Sequence, residues 1–454
     1  MRRILWLRRD LRATDHPLLA LEGEILPIFI FDPAILGSLP ENDRRVGFIF
    51  ETLIRLKTRF REIGRDIALF YGDPADVFDW ILSRDGFDEV AASGDYDGYA
   101  LERDRNVSHR LPFNRIHDTY LFAPDEILKQ DGSPYLVFTP YYTQAKKQFR
   151  PDHMREYPHA RQTFLPYDYE HIHRIEGKDH SLLPLTPDSI GFTPLPFSCL
   201  DAEEKLSRFS PAIAEYAINR DFPALESTSQ LSTDLRFGTV SIRRILRWMA
   251  EHKRHGIDTE PFFRELVFRE FYAMLLYHFP DLAWKNFRYP FTGIGDETRY
   301  RLFCEGKTGV PIVDAGIREL LQNGTMHNRV RMIVASFCTK NLLLPWQWGE
   351  AFFARHLLDY DAASNILSWQ WSSGTGIDPQ PYFRVFNPYT QTKKFDPEGV
   401  YIKRWLPELR DVPASLFSDE ARLKDLDIPG YPKPMVDHKT SSQKALEYFR
   451  ALLK

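Results

Sequence analysis

Arg3-Ile-Leu-Trp-Leu-Arg8, followed by Ile25-Leu-Pro-Ile-Phe-Ile-Phe31, Ile67-Ala-Leu-Phe-Tyr71 and Asp88-Glu-Val-Ala-Ala-Ser93, sets four short apolar runs near the start of the chain. Between them lie helical patterns at Gly47 to Phe60, Ala75 to Leu82 and Tyr99 to Arg110. Strands that alternate with helices imply a parallel, Rossmann-like α/β sheet. No G-x-G-x-x-G follows the first run, so the usual dinucleotide fingerprint is missing.

Outward from this region the pattern changes. Residues 131 to 200 are rich in Pro, Gly, His and Tyr with little sustained period, and read as a long connection over the surface. Beyond 200 the period is helical: Leu235 to His252, Glu260 to Phe279, Pro311 to Asn323, His327 to Leu344 and Trp348 to Leu358 are helix candidates. The expected organisation is an α/β domain over 1–130, a connector over 131–200 and an all-α domain over 201–454.

The 454 residues suit two or three domains and can enclose a large cofactor. Hydrophobic residues at 43% and charged residues at 27% are ordinary globular values, and no apolar run is long enough to span a bilayer. Met1-Arg2-Arg3 leads into too short an apolar run for a secretory signal, so a soluble, cytoplasmic protein is expected. Three scattered cysteines, Cys199, Cys304 and Cys338, form neither a disulfide framework nor a cluster ligand set, and no metal is expected. A net charge of -4 argues against indiscriminate polyanion binding. Arg384, Lys393, Lys394, Lys403 and Arg404 form a modest basic stretch, which a solvated surface explains almost as well.

Five tryptophans, Trp346, Trp348, Trp369, Trp371 and Trp405, crowd the segment that also holds Asp359, Asp361 and Asn365. Large rings are usually structural, but this density also suits stacking or electron transfer. Glu265, Phe268, Arg269 and Tyr272 fall at i, i+3, i+4 and i+7 and share a helix face, where an exposed i,i+4 ion pair is the plainer explanation. Thr325, Asn328 and Met332 form a second stripe with Arg331 one position off, an amide and a thioether suited to a flat heteroaromatic ligand. Thr228, Ser229 and Ser232 place hydroxyls at a helix start, an anion site or a plain cap.

Several longer motifs carry a resemblance. Leu5-Trp-Leu-Arg-Arg-Asp-Leu-Arg12, Glu305 to Ala315, Met326 to Phe337, Trp369-Gln-Trp-Ser-Ser-Gly-Thr-Gly376, Tyr382-Phe-Arg-Val-Phe-Asn-Pro388 and Trp405-Leu-Pro-Glu-Leu409 together resemble the DNA photolyase/cryptochrome family, closest to class I cyclobutane pyrimidine dimer photolyases. The resemblance spans essentially the whole chain. It implies an N-terminal antenna domain and a helical domain holding folded FAD. It also implies a monomer that acts on UV-damaged DNA, repairing cyclobutane dimers by electron transfer from excited reduced FAD to a flipped-out dimer.

By the same resemblance, Tyr216, Thr228, Ser229, Leu231, Ser232 and Arg269 hold the cofactor. Arg331 and Asp359 pair beside the isoalloxazine, Asp361 meets its polar edge and Asn365 faces its reactive central nitrogen. Glu265, Asn328, Met332 and Trp371 match dimer-contacting positions. Phe268, Arg329, Arg384, Lys393 and Lys394 are implied to contact DNA. Trp369 and Trp346 match the proximal and middle electron carriers, while Gly293 stands where a surface tryptophan is expected. Tyr289, Phe291, Tyr300 or Trp348 remain as other exits.

Phe268 and Thr325 each replace an expected tryptophan. A (6–4) photolyase carries two histidines where this chain has Asn328 and Met332, so dimer repair is favoured over that reaction. A cryptochrome-type blue-light receptor without repair activity is the other alternative. Glu102 keeps half of a folate-binding pair whose amide is replaced by Leu101. The antenna therefore stays open between methenyltetrahydrofolate, a deazaflavin, a flavin or none, in the crevice at the carboxyl ends of the strands.

Overall fold

The computed structural model describes residues 1–197 and 200–453, so Cys199 lies outside the described residues. The chain packs into two compact units, one of Met1–Leu128, Thr143–Arg208 and Gln230–Thr259, the other of Lys129–Tyr142, Phe209–Ser229 and Glu260–Lys454. The division by chain order, 1–130, 131–200 and 201–454, stays a proposal beside this division by packing.

The first unit is built on β1 (Arg2–Leu7), β2 (Gly23–Phe31), β3 (Ala68–Tyr71), β4 (Glu89–Ser93), β5 (Phe113–Ile116), β6 (Gln162–Phe164), β7 (Ile172–Glu176) and β8 (Asp179–Leu183). Their order is β5-β4-β1-β2-β3-β7-β8, with β6 also on β2. All pairs are parallel except β7 with β8. Successive strand residues point to opposite faces, and here both faces are covered. Leu5, Leu7 and Phe29 enter one core with Val46, Phe50 and Leu53, whereas Ile4, Trp6 and Ile28 enter another with Val77 and Phe78. That is why the buried part of each run is apolar on consecutive residues rather than alternating.

Helices α1 (Arg44–Glu62), α2 (Pro74–Leu82) and α3 (Gly98–Ser108) each start on an aspartate: Asp43, Asp73 and Asp97 accept from backbone N–H groups of the first turn. Residues 131–200 do more than connect, since they supply β6, β7 and β8. These strands are short, and β8 is exposed along most of its length, so no apolar run announces them. The candidate helix Leu235 to His252 is two helices, α4 (Ser232–Phe237) and α5 (Ile242–Arg254). Gly238 divides them at φ +66, and a Cβ there would overlap the Arg9 carbonyl.

The second unit contains α6 (Glu260–His278), α7 (Pro311–Asn323), α8 (Asn328–Ser336), α9 (Trp346–His356), α10 (Ala362–Ser373), α11 (Pro388–Phe395) and α12 (His438–Leu452). The expected helix His327 to Leu344 runs as α8 and then a π-helical turn, Phe337–Asn341, with Pro345 before α9. Val313, Ile317, Val330, Val334, Trp346 and Trp369 pack in its core. No helix among the described residues is long and apolar enough to cross a membrane.

Candidate active site

A cavity of about 400 Å³ opens inside the helical unit. Its floor is α10. Asp361 caps that helix, accepting from the Ser364 N–H at 3.1 Å and the Ser364 hydroxyl at 3.0 Å. Asp361, Ser364, Asn365, Ser368, Trp369, Trp371 and Ser372 then line the cavity, spaced so that one helix face meets it turn after turn. Asn365 is held from behind, its Nδ2 donating to Glu350 Oε1 at 2.9 Å.

Helix α8 supplies Asn328, Arg331, Met332 and Ala335 to the lining. It begins at Asn328 because His327 caps it, Nδ1 accepting from the Arg329 N–H at 3.2 Å. Burial pushes the His327 imidazole down to about 4. Thr325 therefore precedes the helix and does not share the stripe of Asn328 and Met332. Its hydroxyl serves Glu319, whose carboxyl is raised by burial. Arg331 pairs with Asp359 at 2.9 Å, and its Nε donates to the Met326 carbonyl at 2.7 Å.

Helix α6 forms the facing wall with Arg264, Glu265, Phe268 and Tyr272. The i,i+4 pair between Glu265 and Arg269 does not form: Glu265 pairs with Arg220, and Arg269 lies 3.6 Å from Glu270. Arg269 lies outside the lining, since i+4 on a helix carries it past the edge of the face that Phe268 and Tyr272 present. The Phe268 ring is tilted against Phe138, centroids 4.1 Å apart, and meets Tyr272 edge-on at 4.9 Å.

Trp369 is buried, edge-on to Phe353 at 4.9 Å and seated on Gly349, where a Cβ would overlap its ring. Trp346 is also buried, its Nε1 donating to Asn286 Oδ1 at 2.7 Å. Gly293 leaves no room for any side chain, because a Cβ would stand 2.6 Å from Pro345 N and 2.7 Å from Leu344 C. Tyr300 and Trp348 are partners, with rings 5.1 Å apart and the Tyr300 hydroxyl donating to the Trp348 carbonyl at 3.0 Å. Tyr289 stacks on Phe291 at 5.1 Å.

Tyr216 is buried between Phe209 and Phe262, edge-on to both at 5.5 Å, and burial pushes its hydroxyl up to about 12. Thr228 and Ser229 are half-buried in the same unit and do not line the cavity. In the other unit, Leu231 is buried at the cap of the short helix α4 with no side-chain cap bond, and Ser232 is exposed. Arg329 pairs with Asp221 at 2.7 Å and lies over Phe395 at 4.4 Å. Arg384, Lys393 and Lys394 are exposed.

Sequence reasoning missed Arg220, Arg264 and Phe353, which come from outside the recognised stripes. Ser364 and Ser368 were within reach, since they share helical spacing with Asn365. The cavity suits a tricyclic ring: Phe353, Leu357 and Trp369 are apolar neighbours, while Arg331, Asp359, Asp361 and the Asn365 amide give one side hydrogen-bonding and charged groups.

Comparison with known proteins identifies the domain first. Residues 262–451 match the FAD binding domain of DNA photolyase, so this helical unit binds FAD. Residues 3–160 match the DNA photolyase domain. A deoxyribodipyrimidine photo-lyase of Alkalihalophilus pseudofirmus is 35% identical over 98% of this chain and 97% of its own length. A bacterial class III photolyase from Agrobacterium tumefaciens superposes with a TM-score of 0.87 at 31% identity, covering 100% of this chain and 98% of its own. An archaeal photolyase from Sulfolobus tokodaii with two FAD molecules gives 0.83 at 30% identity, covering 99% and 100%. The chain belongs to the DNA photolyase family and is a FAD-binding enzyme of DNA repair.

Proposed function

We propose that the enzyme repairs cyclobutane pyrimidine dimers in DNA, using light and the FAD of its helical unit. The observation that carries this reading is the lining itself, where Asn328 and Met332 of α8 share one cavity with Glu265 and Trp371. When bound, reduced FAD supplies the redox chemistry, one electron lent to the dimer under blue light and returned after the ring opens. An amide and a thioether stand where a proton-donating pair of imidazoles would favour the (6–4) reaction.

The protein's own groups hold and orient. Photolyases take the lesion out of the duplex, which costs a few kcal/mol and least at a poorly stacked site. Phe268 and Trp371 offer stacking faces to the flipped dimer, and Asn328 both donates to and accepts from a pyrimidine edge. Glu265, bridged to Arg220, accepts from an N–H of the same edge, and the Arg220 guanidinium offsets the negative charge that develops on the dimer. Asn365, Asp361 and the Arg331–Asp359 pair hold the polar edge of the flavin, and Tyr216, Thr228 and Ser229 hold the rest of the cofactor. Trp369 and Trp346 reload the flavin with electrons. Arg329, Arg384, Lys393 and Lys394 meet the DNA backbone.

A cytoplasmic monomer with an antenna chromophore on its sheet-bearing unit completes the proposal. The two FAD molecules of the Sulfolobus relative support the antenna. The test is blue-light treatment, with pre-reduced protein, of two oligothymidines carrying a cyclobutane dimer or a (6–4) product. Loss of the dimer alone is expected. Repair of neither, with FAD bound, overturns the reading in favour of a light receptor.

A further inference from the structure

Among the charged residues that line the cavity, Arg264 is the one this chemistry leaves without a task. It precedes Glu265 on α6 and lines the cavity. Its guanidinium lies over two rings, 4.7 Å from the centre of Phe138 and 5.2 Å from that of Tyr142. Neighbouring arginines are engaged by carboxylates: Arg220 by Glu265, Arg329 by Asp221 and Arg331 by Asp359. The Arg264 guanidinium has no hydrogen-bond or ion-pair partner among the described residues.

The rings beneath it are fixed. The Phe138 N–H donates to Asp378 Oδ2 at 3.1 Å, and the Tyr142 hydroxyl donates to Glu260. Phe138 also backs Phe268, so the platform under the guanidinium and the stacking wall of the cavity share one ring. Stacking uses the faces of the guanidinium and leaves its in-plane N–H donors free, in the fork that matches a phosphate. A permanent charge held still at a half-buried rim and left unpaired is set up for an anion from outside the protein. A flipped nucleotide brings one with it, its own phosphodiester.

We propose that Arg264 binds a backbone phosphate of the lesion-bearing strand beside the flipped-out dimer. This rests on the dimer-repair reading above. The test is dark binding of a dimer-bearing oligonucleotide to the FAD-loaded protein across a salt series, comparing wild type with Arg264→Gln and Arg264→Lys. Arg264→Gln is expected to bind roughly tenfold more weakly, the loss of one charge-assisted contact. Its plot of log affinity against log salt should be shallower by about 1, one phosphate fewer. Arg264→Lys keeps the charge and should restore the slope.

A neutral methylphosphonate at the phosphates flanking the dimer should weaken wild type more than it weakens Arg264→Gln. An unchanged slope in Arg264→Gln, beside a wild type that binds and repairs, overturns the proposal alone. Loss of FAD from Arg264→Gln also overturns it, by assigning the arginine to the cofactor. A wild type that does not hold the dimer at all sinks the repair reading, and this proposal with it.

Discussion

The Asn365 amide nitrogen donates twice to Glu350, to the carboxylate at 2.9 Å and to the backbone carbonyl at 3.2 Å, which leaves Oδ1 as the atom free for the cavity. Burial raises the Glu350 carboxyl even though Asn365 and Tyr360 both donate to it. Glu350→Leu removes the nearer of the two acceptors and leaves the amide held by the backbone carbonyl of residue 350 alone, freer to rotate. The expected results are a shifted flavin reduction potential and a loss of about 1–3 kcal/mol of stability. A redox titration of the bound flavin checks this, and a potential identical to wild type would show that Glu350 does not orient Asn365.

Phe268 is expected to carry stacking energy in place of a larger ring. Phe268→Ala should weaken dark binding of a dimer-bearing oligonucleotide by about 1–3 kcal/mol, the range for one base on one aromatic ring. Phe138→Ala should produce part of the same loss, because Phe138 backs that ring without lining the cavity. Equal affinity for Phe268→Ala and wild type would remove Phe268 from the binding wall.

Gly293 stands at φ +74 with backbone atoms of Leu344 and Pro345 against the place of a Cβ. Restoring a tryptophan there is expected to cost stability rather than extend the electron path. The left-handed backbone alone amounts to about 1–3 kcal/mol, and the overlap adds to it. Thermal melting of Gly293→Trp against wild type decides, with an unchanged melting temperature counting against the close approach.

Asp118 is buried between two arginines, accepting from Arg12 Nη2 and Arg243 Nη2, each at 2.7 Å. Burial opposes its ionisation, yet Arg12 and Arg243 outweigh it and hold the carboxyl well below the ordinary range. A depressed carboxylate contributes stability above its unfolded value, lost as pH falls through that value toward the folded one. Asp118→Asn leaves buried Arg12 without its carboxylate and Arg243 with Asp15 alone, and about 3–5 kcal/mol should be lost at neutral pH. In the variant, the decline below about pH 4 should also be shallower.

His16 gives a second pH window. It is fully buried and neutral: its Nδ1 accepts from the Leu18 N–H at 3.2 Å, and its Nε2 donates to the Asp10 carbonyl at 3.0 Å. Burial lowers it from 6.5 to about 4, with Asp10 opposing. Between those values the unfolded chain takes up a proton that the folded one refuses, so stability falls as pH drops from 6.5 toward 4. Melting temperatures followed across this window should fall in wild type and stay flatter in His16→Gln.

The parts of this fold legible in the sequence are those whose cause is local. β1 to β4 are covered on both faces, so consecutive residues along the middle of each are apolar, as in Ile4 to Leu7 and Val90 to Ala92. β6, β7 and β8 are short or exposed and carry no such mark. Gly238 breaks a helical pattern because of the Arg9 carbonyl, a neighbour that sequence spacing does not bring near. Within the site, Asn365, Ser364, Ser368 and Trp371 follow from helix geometry once one of them is suspected. Arg220 and Arg264 do not, because their roles arise from a carboxylate and two rings that only folding brings beside them. Thr325 was misplaced for a related reason, since the cap at His327 moves the helix start past it.

The platform of Phe138 and Tyr142 belongs to a segment made long before α6, yet both pack within the same unit. During synthesis that segment waits for its partner, its rings unsupported until α6 leaves the ribosome. A fragment begun at residue 260 would carry the cavity's motifs without the surface that steadies Phe268 and Arg264. The boundaries that matter for dissecting this enzyme are therefore temporal as well as spatial, and a minimal catalytic piece has to include Lys129–Tyr142.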